Sequence, residues 1–223
     1  MSSLKNHYDR ISHWYELLDW GLERFRYSKL RPLVWSHAQG KTLDLGVGTG
    51  LNIPYYPHGA EIIGVDLSDG MLRRARARAE ELGVQVKLSQ MDATDLKFKD
   101  GTFDSVVSTF LFCVLPNEIQ PKAIDEAHRI LAPEGKLVLM EYVYSRKFWR
   151  RFWMKAIAPW VRWVYRAGFD RRTSEFLKEG NWNILTDSFI YQDIIRLIVV
   201  QKRSSLGSFR NYGSSIEDKE ARP

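Results

Sequence analysis

An alternation of short apolar runs with helical patterns, between Lys41 and Val143, most constrains how this chain can fold. The clearest helical stretch is "SDGMLRRARARAEELG", with Ser68 as its predicted N-cap and Gly83 just after its end. Parallel strands need such crossover helices to connect them. We therefore expect an α/β fold, with one parallel sheet covered by helices on both faces. Its five predicted strands are "KTLDLG", "AEIIGVDL", "VQVKLSQMD", "FDSVVSTF" and "GKLVLMEYV".

The alternation stops after the fifth strand. The segment "NWNILTDSFIYQDIIRLIVVQKR" contains two β-rich runs on either side of Gln192 and Asp193, which predicts a C-terminal β-hairpin added to the sheet. From Ser204 the chain is polar and contains Gly and Ser, so residues 204–223 are predicted to be a flexible tail. We expect the domain itself to occupy residues 41–203, in keeping with the 223 residues of the chain.

Charge and composition restrict the kind of protein. The net charge of +6 favours an anionic partner, and the single cysteine, Cys113, cannot form an internal disulfide. The start "MSSLKNHYDR" lacks the apolar core of a secretory signal, and no uncharged apolar run is long enough to span a bilayer. The five histidines have no metal-ligand spacing. We expect a cytoplasmic, monomeric protein without a metal site.

The stretch "LDLGVGTG" brings bare backbone to the end of the first strand. Glycines at this point allow a tight turn, and they let a ligand lie against main-chain atoms. The dinucleotide fingerprint would need a third glycine where Leu51 stands, and the Gly-Lys-Ser/Thr ending of a P-loop is missing. The pattern therefore predicts a nucleotide-like ligand without a pyrophosphate, held near Gly46, Gly48 and Gly50.

Three carboxylates stand at or near the carboxyl ends of the first three predicted strands. Asp44 precedes the glycines, where it would repel a phosphate and attract an amino group. Asp66 ends the second strand within reach of a ribose diol, and Asp92 follows the third strand. A ligand with a ribose, a base and an ammonium group, and without phosphates, fits this set. S-adenosyl-L-methionine is such a ligand.

In order and spacing, "LDLGVGTG", "GVDLSDGML", "QMDATDLKFKDGTFDSVVS" and "EAHRILAPEGKLVLME" resemble the class I S-adenosylmethionine-dependent methyltransferases. The resemblance implies a Rossmann-like seven-stranded sheet. It also implies that the glycines approach the methionyl part and ribose, that Asp66 binds the ribose hydroxyls, and that Asp44 helps to position the amino-acid end. The remaining cofactor-binding residues implied are Leu67, Met71, Asp92 and Ala93 around the adenine, together with Thr109.

Motifs of nucleic-acid methyltransferases are missing. The place of the Asp/Asn-Pro-Pro-aromatic motif reads "STFLFCVLP", and Cys113 follows Phe112 rather than the proline of a cytosine C5 nucleophile. We therefore expect no nucleic-acid partner.

A second distinctive segment, "YVYSRKFWRRFWMKAIAPWVRWVYRAGF", runs from Tyr142 to Phe169 with ten aromatic residues, seven Lys/Arg and no acid. Basic heads interleaved with Trp and Tyr are typical of the boundary between anionic headgroups and acyl chains. We expect residues 144–169 to be an insertion that binds an anionic membrane peripherally, with Pro159 dividing it into two helical pieces.

The stretch "HYDRISHWYELL" resembles the N-terminal lid of ubiquinone/menaquinone C-methyltransferases and of soluble bacterial phosphatidylethanolamine N-methyltransferases. The resemblance implies that residues 1–40 form amphipathic lid helices and that Tyr8 and Tyr15 close the active site. The later aromatic segment also looks like membrane-associated thiol S-methyltransferases. Quinone, thiol and phospholipid acceptors therefore stay open, and so do a cofactor-sensing binding protein and an NAD-dependent oxidoreductase.

A lipid amine is the acceptor that we expect. Aromatic faces stabilise a methylated ammonium group, and Tyr8, Tyr15, Phe110 and Tyr142 are the predicted wall around it. Glu141 or a tyrosine would accept the proton. The side chains predicted to bind the lipid phosphate are Arg146, Lys147, Arg150 and Arg151.

Overall fold

The computed structural model describes residues 4–12 and 23–203. Residues 4–12 are helical and are called α1; a π-helical turn, Glu23–Tyr27, leads into the next helix, and a 3₁₀ turn spans Ile53–Tyr55. The other helices are α2 (Ser28–Trp35), α3 (Asp69–Leu82), α4 (Gln120–Ile130), α5 (Phe148–Tyr165) and α6 (Thr173–Glu179). The strands are β1 (Thr42–Leu45), β2 (Ile62–Asp66), β3 (Lys87–Gln90), β4 (Phe103–Thr109), β5 (Leu131–Tyr142), β6 (Trp182–Tyr191) and β7 (Ile195–Lys202).

The strands form one seven-stranded sheet in the order β3-β2-β1-β4-β5-β7-β6. Strands β1 to β5 are parallel, and β7 runs antiparallel to both β5 and β6. All five predicted parallel strands are confirmed. The predicted hairpin is confirmed as well, with Gln192 in a left-handed conformation (φ 50°) at its turn.

The sheet is buried on both faces because alternate residues of its central strands point in opposite directions. In β5, Leu137 and Leu139 pack with the core residues under α4 and α6. Val138 and Met140 pack on the other face, together with Trp35 of α2 and the buried side of α5. The fold is thus an α/β sandwich of helices around one sheet, and the carboxyl ends of β1 to β5 lie at one edge.

Helix α3 begins and ends as its sequence predicts. The Ser68 hydroxyl accepts a hydrogen bond from the Met71 amide at 3.1 Å, and Gly83 closes the helix with a positive φ of 64°. Met71, Leu72 and Ala75 are buried against the sheet. The N-terminus of α3 therefore lies fixed beside the end of β2.

Helix α5 is continuous, so the prediction that Pro159 divides this segment is wrong. Its buried stripe contains Met154 and Ala158, whereas Pro159 itself is exposed. The carbonyl of Lys155, which the proline leaves without an amide donor, lies on an exposed turn of the helix and can be bonded by water. Within residues 4–12 and 23–203, no helix is both long and apolar enough to cross a membrane.

Candidate active site

A cavity opens where β1, β2 and β4 end, at the edge to which the parallel strands deliver their carboxyl-terminal residues. Leu4 of α1, together with Tyr27 and Arg31 on the segment leading into and through α2, forms part of its wall. The cavity is also lined by nine of the predicted site residues: Tyr8, Gly46, Gly48, Asp66, Leu67, Met71, Ala93, Thr109 and Phe110.

Asp66 and Gly48 form the floor of this cavity. One carboxylate oxygen of Asp66 accepts the Gly48 amide at 2.9 Å, and the other accepts the Ser68 amide at the same distance. Burial raises the pKa of Asp66 despite these bonds. Gly48 has a positive φ of 56°, and a Cβ placed there would meet no protein atom within 4 Å. The backbone is therefore open to a ligand at this point, as a cofactor cradle requires.

Asp44, which the resemblance gives a part in positioning the amino-acid end of the ligand, is not among the residues that line the cavity. It is fully buried, and its oxygens accept hydrogen bonds from Asn52 Nδ2 at 3.1 and 3.0 Å and from Tyr56 Oη at 2.8 Å. Burial raises its pKa to about 6. Asp44 instead fixes Asn52, which follows the glycines.

Arg31 is a site residue that the sequence analysis missed. Its guanidinium is 4% exposed and lines the cavity, where it donates to Asn52 Oδ1 at 2.5 Å and to Thr109 Oγ1 at 3.2 Å. Glu23 accepts two further bonds from it, each at 2.8 Å. In sequence Arg31 is one basic residue among many, and no local pattern marks it. Its partner Asn52 stands two residues after Gly50, which was the one sign of a polar contact near the glycines.

Two more predicted cofactor residues lie next to the cavity rather than in its wall. Gly50 packs against α3: a Cβ there would fall 2.6 Å from Ile53 Cδ1 and 3.1 Å from Ala75 Cα. Asp92 is half-buried and accepts bonds from the amide and hydroxyl of Thr94, at 2.8 and 2.7 Å. Gly50 thus serves packing, whereas Asp92 borders the wall residue Ala93.

Helix α1 covers the cavity and is attached at two places. Asp9 Oδ1 accepts bonds from Ser68 Oγ at 2.6 Å and from the Gly70 amide at 3.0 Å, at the N-terminus of α3. Burial opposes ionisation of Asp9, but its bonds from Ser68, Lys5 and Gly70 lower its pKa to about 2. At the second place, Tyr8 Oη donates to the carbonyl of Tyr165, the last residue of α5, at 2.5 Å. The predicted partner of Tyr8, Tyr15, lies outside the described residues.

An aromatic group stands at the cavity, where Tyr27 and Phe110 form part of its wall. The ring of Phe110 lies 4.9 Å from that of Tyr27 and 5.3 Å from that of Tyr142, measured between centroids. Phe110 has a left-handed backbone (φ 60°), a conformation that costs free energy in a bulky residue and that concentrates at functional sites. Phe110 and Tyr142, two of the four residues expected around the acceptor nitrogen, are thus in contact with each other, and of these two only Phe110 lines the cavity.

Glu141, one of the groups expected to accept the proton, does not line the cavity. Its two oxygens accept the backbone amides of Phe112 and Cys113 at 3.0 and 2.7 Å. Burial raises its pKa to about 8. The side chain holds the loop after β4 in place and points its polar atoms into that loop.

The predicted phosphate-binding residues lie at the far end of α5, and none lines the cavity. Asp193 accepts the backbone amides of Arg146 and Lys147 and forms an ion pair with Arg150, while Arg151 stands over the Tyr144 ring. Fifteen residues of helix separate Arg150 from Tyr165, about 22 Å along the axis. Arg150 thus lies at the end of α5 opposite its contact with α1, and none of the four side chains belongs to the cavity wall. Within the described ranges, no three His, Cys, Asp or Glu side chains are grouped to hold a metal ion.

Comparison with known proteins gives the site a context. A family profile described as methyltransferase domain matches residues 43–139. A phosphatidylethanolamine N-methyltransferase of Cereibacter sphaeroides is 36% identical over 143 residues, which cover 60% of this chain and 68% of that protein. A demethylmenaquinone methyltransferase of Thermus thermophilus is 35% identical over 144 residues, which cover 63% of each protein, so the chain spans less than two-thirds of this relative.

Two solved structures share the fold. An S-adenosylmethionine-dependent methyltransferase of Thermotoga maritima, described as a possible histamine N-methyltransferase, has a TM-score of 0.67 at 19% identity and covers 90% of this chain and all of its own. Geranyl diphosphate C-methyltransferase of Streptomyces coelicolor, solved with S-adenosyl-L-homocysteine, has a TM-score of 0.64 at 14% identity and covers 78% of this chain and 76% of its own.

Proposed function

The chain belongs to the S-adenosylmethionine-dependent methyltransferases with the Rossmann-like sheet, and from this premise we propose that it N-methylates phosphatidylethanolamine and its partly methylated forms at a membrane surface. The observation that carries the proposal is the exposed face of α5, which is aromatic and basic. The last residue of this helix, Tyr165, contacts α1, the helix that covers the cavity. The similarity to a phosphatidylethanolamine N-methyltransferase supports the same acceptor.

On the cofactor side, Asp66 would bind the ribose hydroxyls, and the methionyl part would lie against the open backbone at Gly48. Leu67, Met71 and Ala93 form an apolar slot of suitable character for the adenine. S-adenosylmethionine supplies an activated methyl group on a sulfonium when it is bound. The chain has to orient the acceptor, exclude water and remove a proton.

On the acceptor side, the ring faces of Tyr8, Tyr27 and Phe110 suit a nitrogen that becomes more methylated and stays cationic. Each ring contributes about 0.5–2 kcal/mol to a cation without offering a hydrogen bond that a quaternary product could not use. Because these rings and the cofactor floor line the same cavity, the amine can reach the methyl donor.

Helix α5 provides the surface for the acyl chains and headgroups. Six aromatic side chains of α5 are 51–76% exposed, and Trp149, Phe152 and Trp163 form a stripe opposite the buried Met154 and Ala158. Arg151, Lys155 and Arg162 recur along one flank of that stripe. An apolar face with a basic flank suits insertion at the headgroup level of an anionic bilayer. In this arrangement the basic side chains bind lipid at the surface rather than in the cavity.

A quinone acceptor is the second candidate. It is favoured by the 35% identity to a demethylmenaquinone methyltransferase, and a prenylated ring would also approach from a membrane. Carbon methylation of a quinol needs no wall for a cationic nitrogen, whereas the cavity contains three aromatic faces. We therefore rank the amine first.

The acceptor can be tested with purified full-length chain, S-adenosylmethionine labelled in its methyl group, and vesicles that contain an anionic lipid. We expect label to enter phosphatidylethanolamine and its mono- and dimethylated forms in vesicles. Matched vesicles with demethylmenaquinol in place of phosphatidylethanolamine, and a water-soluble alkyl thiol, should stay unlabelled. Label in the quinol or the thiol alone would refute the phospholipid assignment.

A further inference from the structure

Two tyrosine hydroxyls meet at the acceptor side of the cavity. The Oη atoms of Tyr27, in the turn before α2, and of Tyr142, at the end of β5, lie 2.5 Å apart. Tyr27 is only 4% exposed and lines the cavity, whereas Tyr142 packs between Phe110 and Phe169. If Tyr27 loses its proton, the hydroxyl of Tyr142 can donate to it, and a hydrogen bond to the charged form favours that form.

A cation faces this pair. Burial alone would lower the pKa of Arg26, but the Coulomb interaction and hydrogen bond with Tyr142 reverse that effect and raise it. The guanidinium also stands 4.4 Å from the ring centroid of Tyr191, at the end of β6. The next charged groups are Arg31, one turn further along the helix, and Glu23, which is paired with Arg31. A guanidinium beside two phenols offsets part of the cost that burial places on an ionised oxygen of the pair.

We infer that Tyr27 is the residue that accepts the proton of the amine, and that Tyr142 and Arg26 position and polarise it. In this step an N–H bond of the acceptor's ammonium breaks and its electron pair stays on nitrogen. The proton passes to the ionised oxygen of Tyr27, which later returns it to solvent. The neutral amine then carries the lone pair that methyl transfer needs, and the step repeats for each further methyl group.

This inference rests on the proposed function, because an ammonium acceptor has a proton to lose. Glu141, which directly precedes Tyr142, is a poor candidate for the proton acceptor. Its two oxygens bind the amides of Phe112 and Cys113, and its side chain does not line the cavity. Tyr27 combines a cavity-lining position, a phenol partner and a nearby cation, and it is the described tyrosine for which all three are observed.

The test compares Tyr27→Phe with the unaltered full chain on vesicles that contain phosphatidylethanolamine. We expect kcat/KM to fall by about 100-fold or more, the usual contribution of a general base, and its rise with pH to disappear. Calorimetric affinity for S-adenosylhomocysteine should stay unchanged in Tyr27→Phe but fall strongly in Asp66→Asn. Tyr144→Phe changes a tyrosine in the loop after β5 whose ring packs on Phe169; it is the matched control and should keep the original profile.

Charge substitutions separate proton transfer from mere packing. Arg26→Gln should move the rising limb of the pH profile to higher pH, because the cation that favours the phenolate is gone, and Arg26→Lys should move it less. In protein labelled at tyrosine ¹³Cζ and measured without any cofactor, two of the phenol resonances should titrate together. Tyr27→Phe and Tyr142→Phe should each remove one of these two resonances and leave the other with the titration of a single independent group.

The outcomes are distinct for the two proposals. An unaltered rate and pH profile in Tyr27→Phe, with phosphatidylethanolamine still methylated, would overturn the role of Tyr27 and leave the proposed function standing. Failure of the unaltered chain to methylate phosphatidylethanolamine would overturn the proposed function. In that case the ¹³Cζ titration still tests the tyrosine pair, since independent titration of the two phenols would contradict their coupling.

Discussion

Several acidic side chains in this protein carry the same carboxyl group but have different physical roles, which their surroundings determine. Asp66 binds two amides on the cavity floor, whereas Asp44 and Glu141 are buried away from it and hold the loops that shape it. Asp9 is the contrasting case, because its hydrogen bonds outweigh burial and keep it ionised. The position of a carboxylate at the end of a strand is therefore not enough to identify it as a ligand-binding group.

The pKa of Glu141 leads to a prediction on stability. Burial raises it from an ordinary value of 4.5 to about 8. Between these two values the folded state holds a proton that the unfolded chain has lost, so the free energy of unfolding falls as pH rises through this window. Glu141→Gln, which mimics the neutral acid, should reduce this fall, most clearly between pH 6 and 8, because the raised pKa of Asp44 contributes to the fall at lower pH. Urea unfolding measured at a series of pH values checks it.

Glu126 provides a matched control of opposite sign. The hydrogen bond from Arg129 lowers its pKa, so its stabilisation is present above the unfolded pKa and is lost as pH falls. Glu126→Gln should therefore change the acid side of the stability profile. If Glu141→Gln left the profile between pH 4.5 and 8 unaltered, Glu141 would not retain a proton in the folded state.

At the scale of elements, α1 joins two parts of the molecule that are distant in sequence. Its Asp9 binds the start of α3, and its His7 and Tyr8 contact the carbonyls of Val164 and Tyr165 at the end of α5. The helices approach closely at Gly70, where a Cβ would lie 2.9 Å from Ser12 Oγ and 3.1 Å from Asp9 Cα. The position of α1 over the cavity thus depends on the small size of Gly70 as well as on the ionised carboxylate of Asp9.

We predict that Asp9→Ala releases α1, because hydrogen bonds to a charged group contribute about 1.5–3 kcal/mol each. Amide exchange in residues 4–12 should accelerate by at least about tenfold, and S-adenosylhomocysteine should dissociate faster. Gly70→Ala should act in the same direction through its steric clash. Lys5→Ala, which removes only the partly exposed ion pair to Asp9, is the control and should have little effect. Unaltered exchange in Asp9→Ala would refute the attachment.

At the scale of the whole molecule, the sheet edge that holds the cavity and the exposed face of α5 are joined through α1. A basic flank contributes about 1 kcal/mol per Lys or Arg near an anionic surface. Arg151→Glu with Lys155→Glu should therefore weaken binding to anionic vesicles by at least about tenfold, measured by sedimentation. Salt should weaken the unaltered chain in the same way.

Two controls make the vesicle measurement specific. Arg73→Glu with Arg76→Glu makes the same change of charge on another exposed helix, α3, and should bind vesicles almost normally. Trp149→Ser with Trp163→Ser should weaken binding even at low salt, because it removes apolar area rather than charge. Equal loss of binding in the Arg73→Glu, Arg76→Glu variant would show that net charge, and not the α5 face, governs the association.

The sequence by itself determined the α/β sheet, the capped helix α3 and the cluster of Gly48, Asp66 and Met71. These depend on local patterns and on the rule that parallel strands end at one edge. Only the tertiary structure decided the partners. Arg31 meets Thr109 across 78 residues, and Tyr27 meets Tyr142 across 115. No local pattern records such pairs, because the final packing sets which side chains share a buried space and hence which carboxylates are structural and which tyrosines can work together.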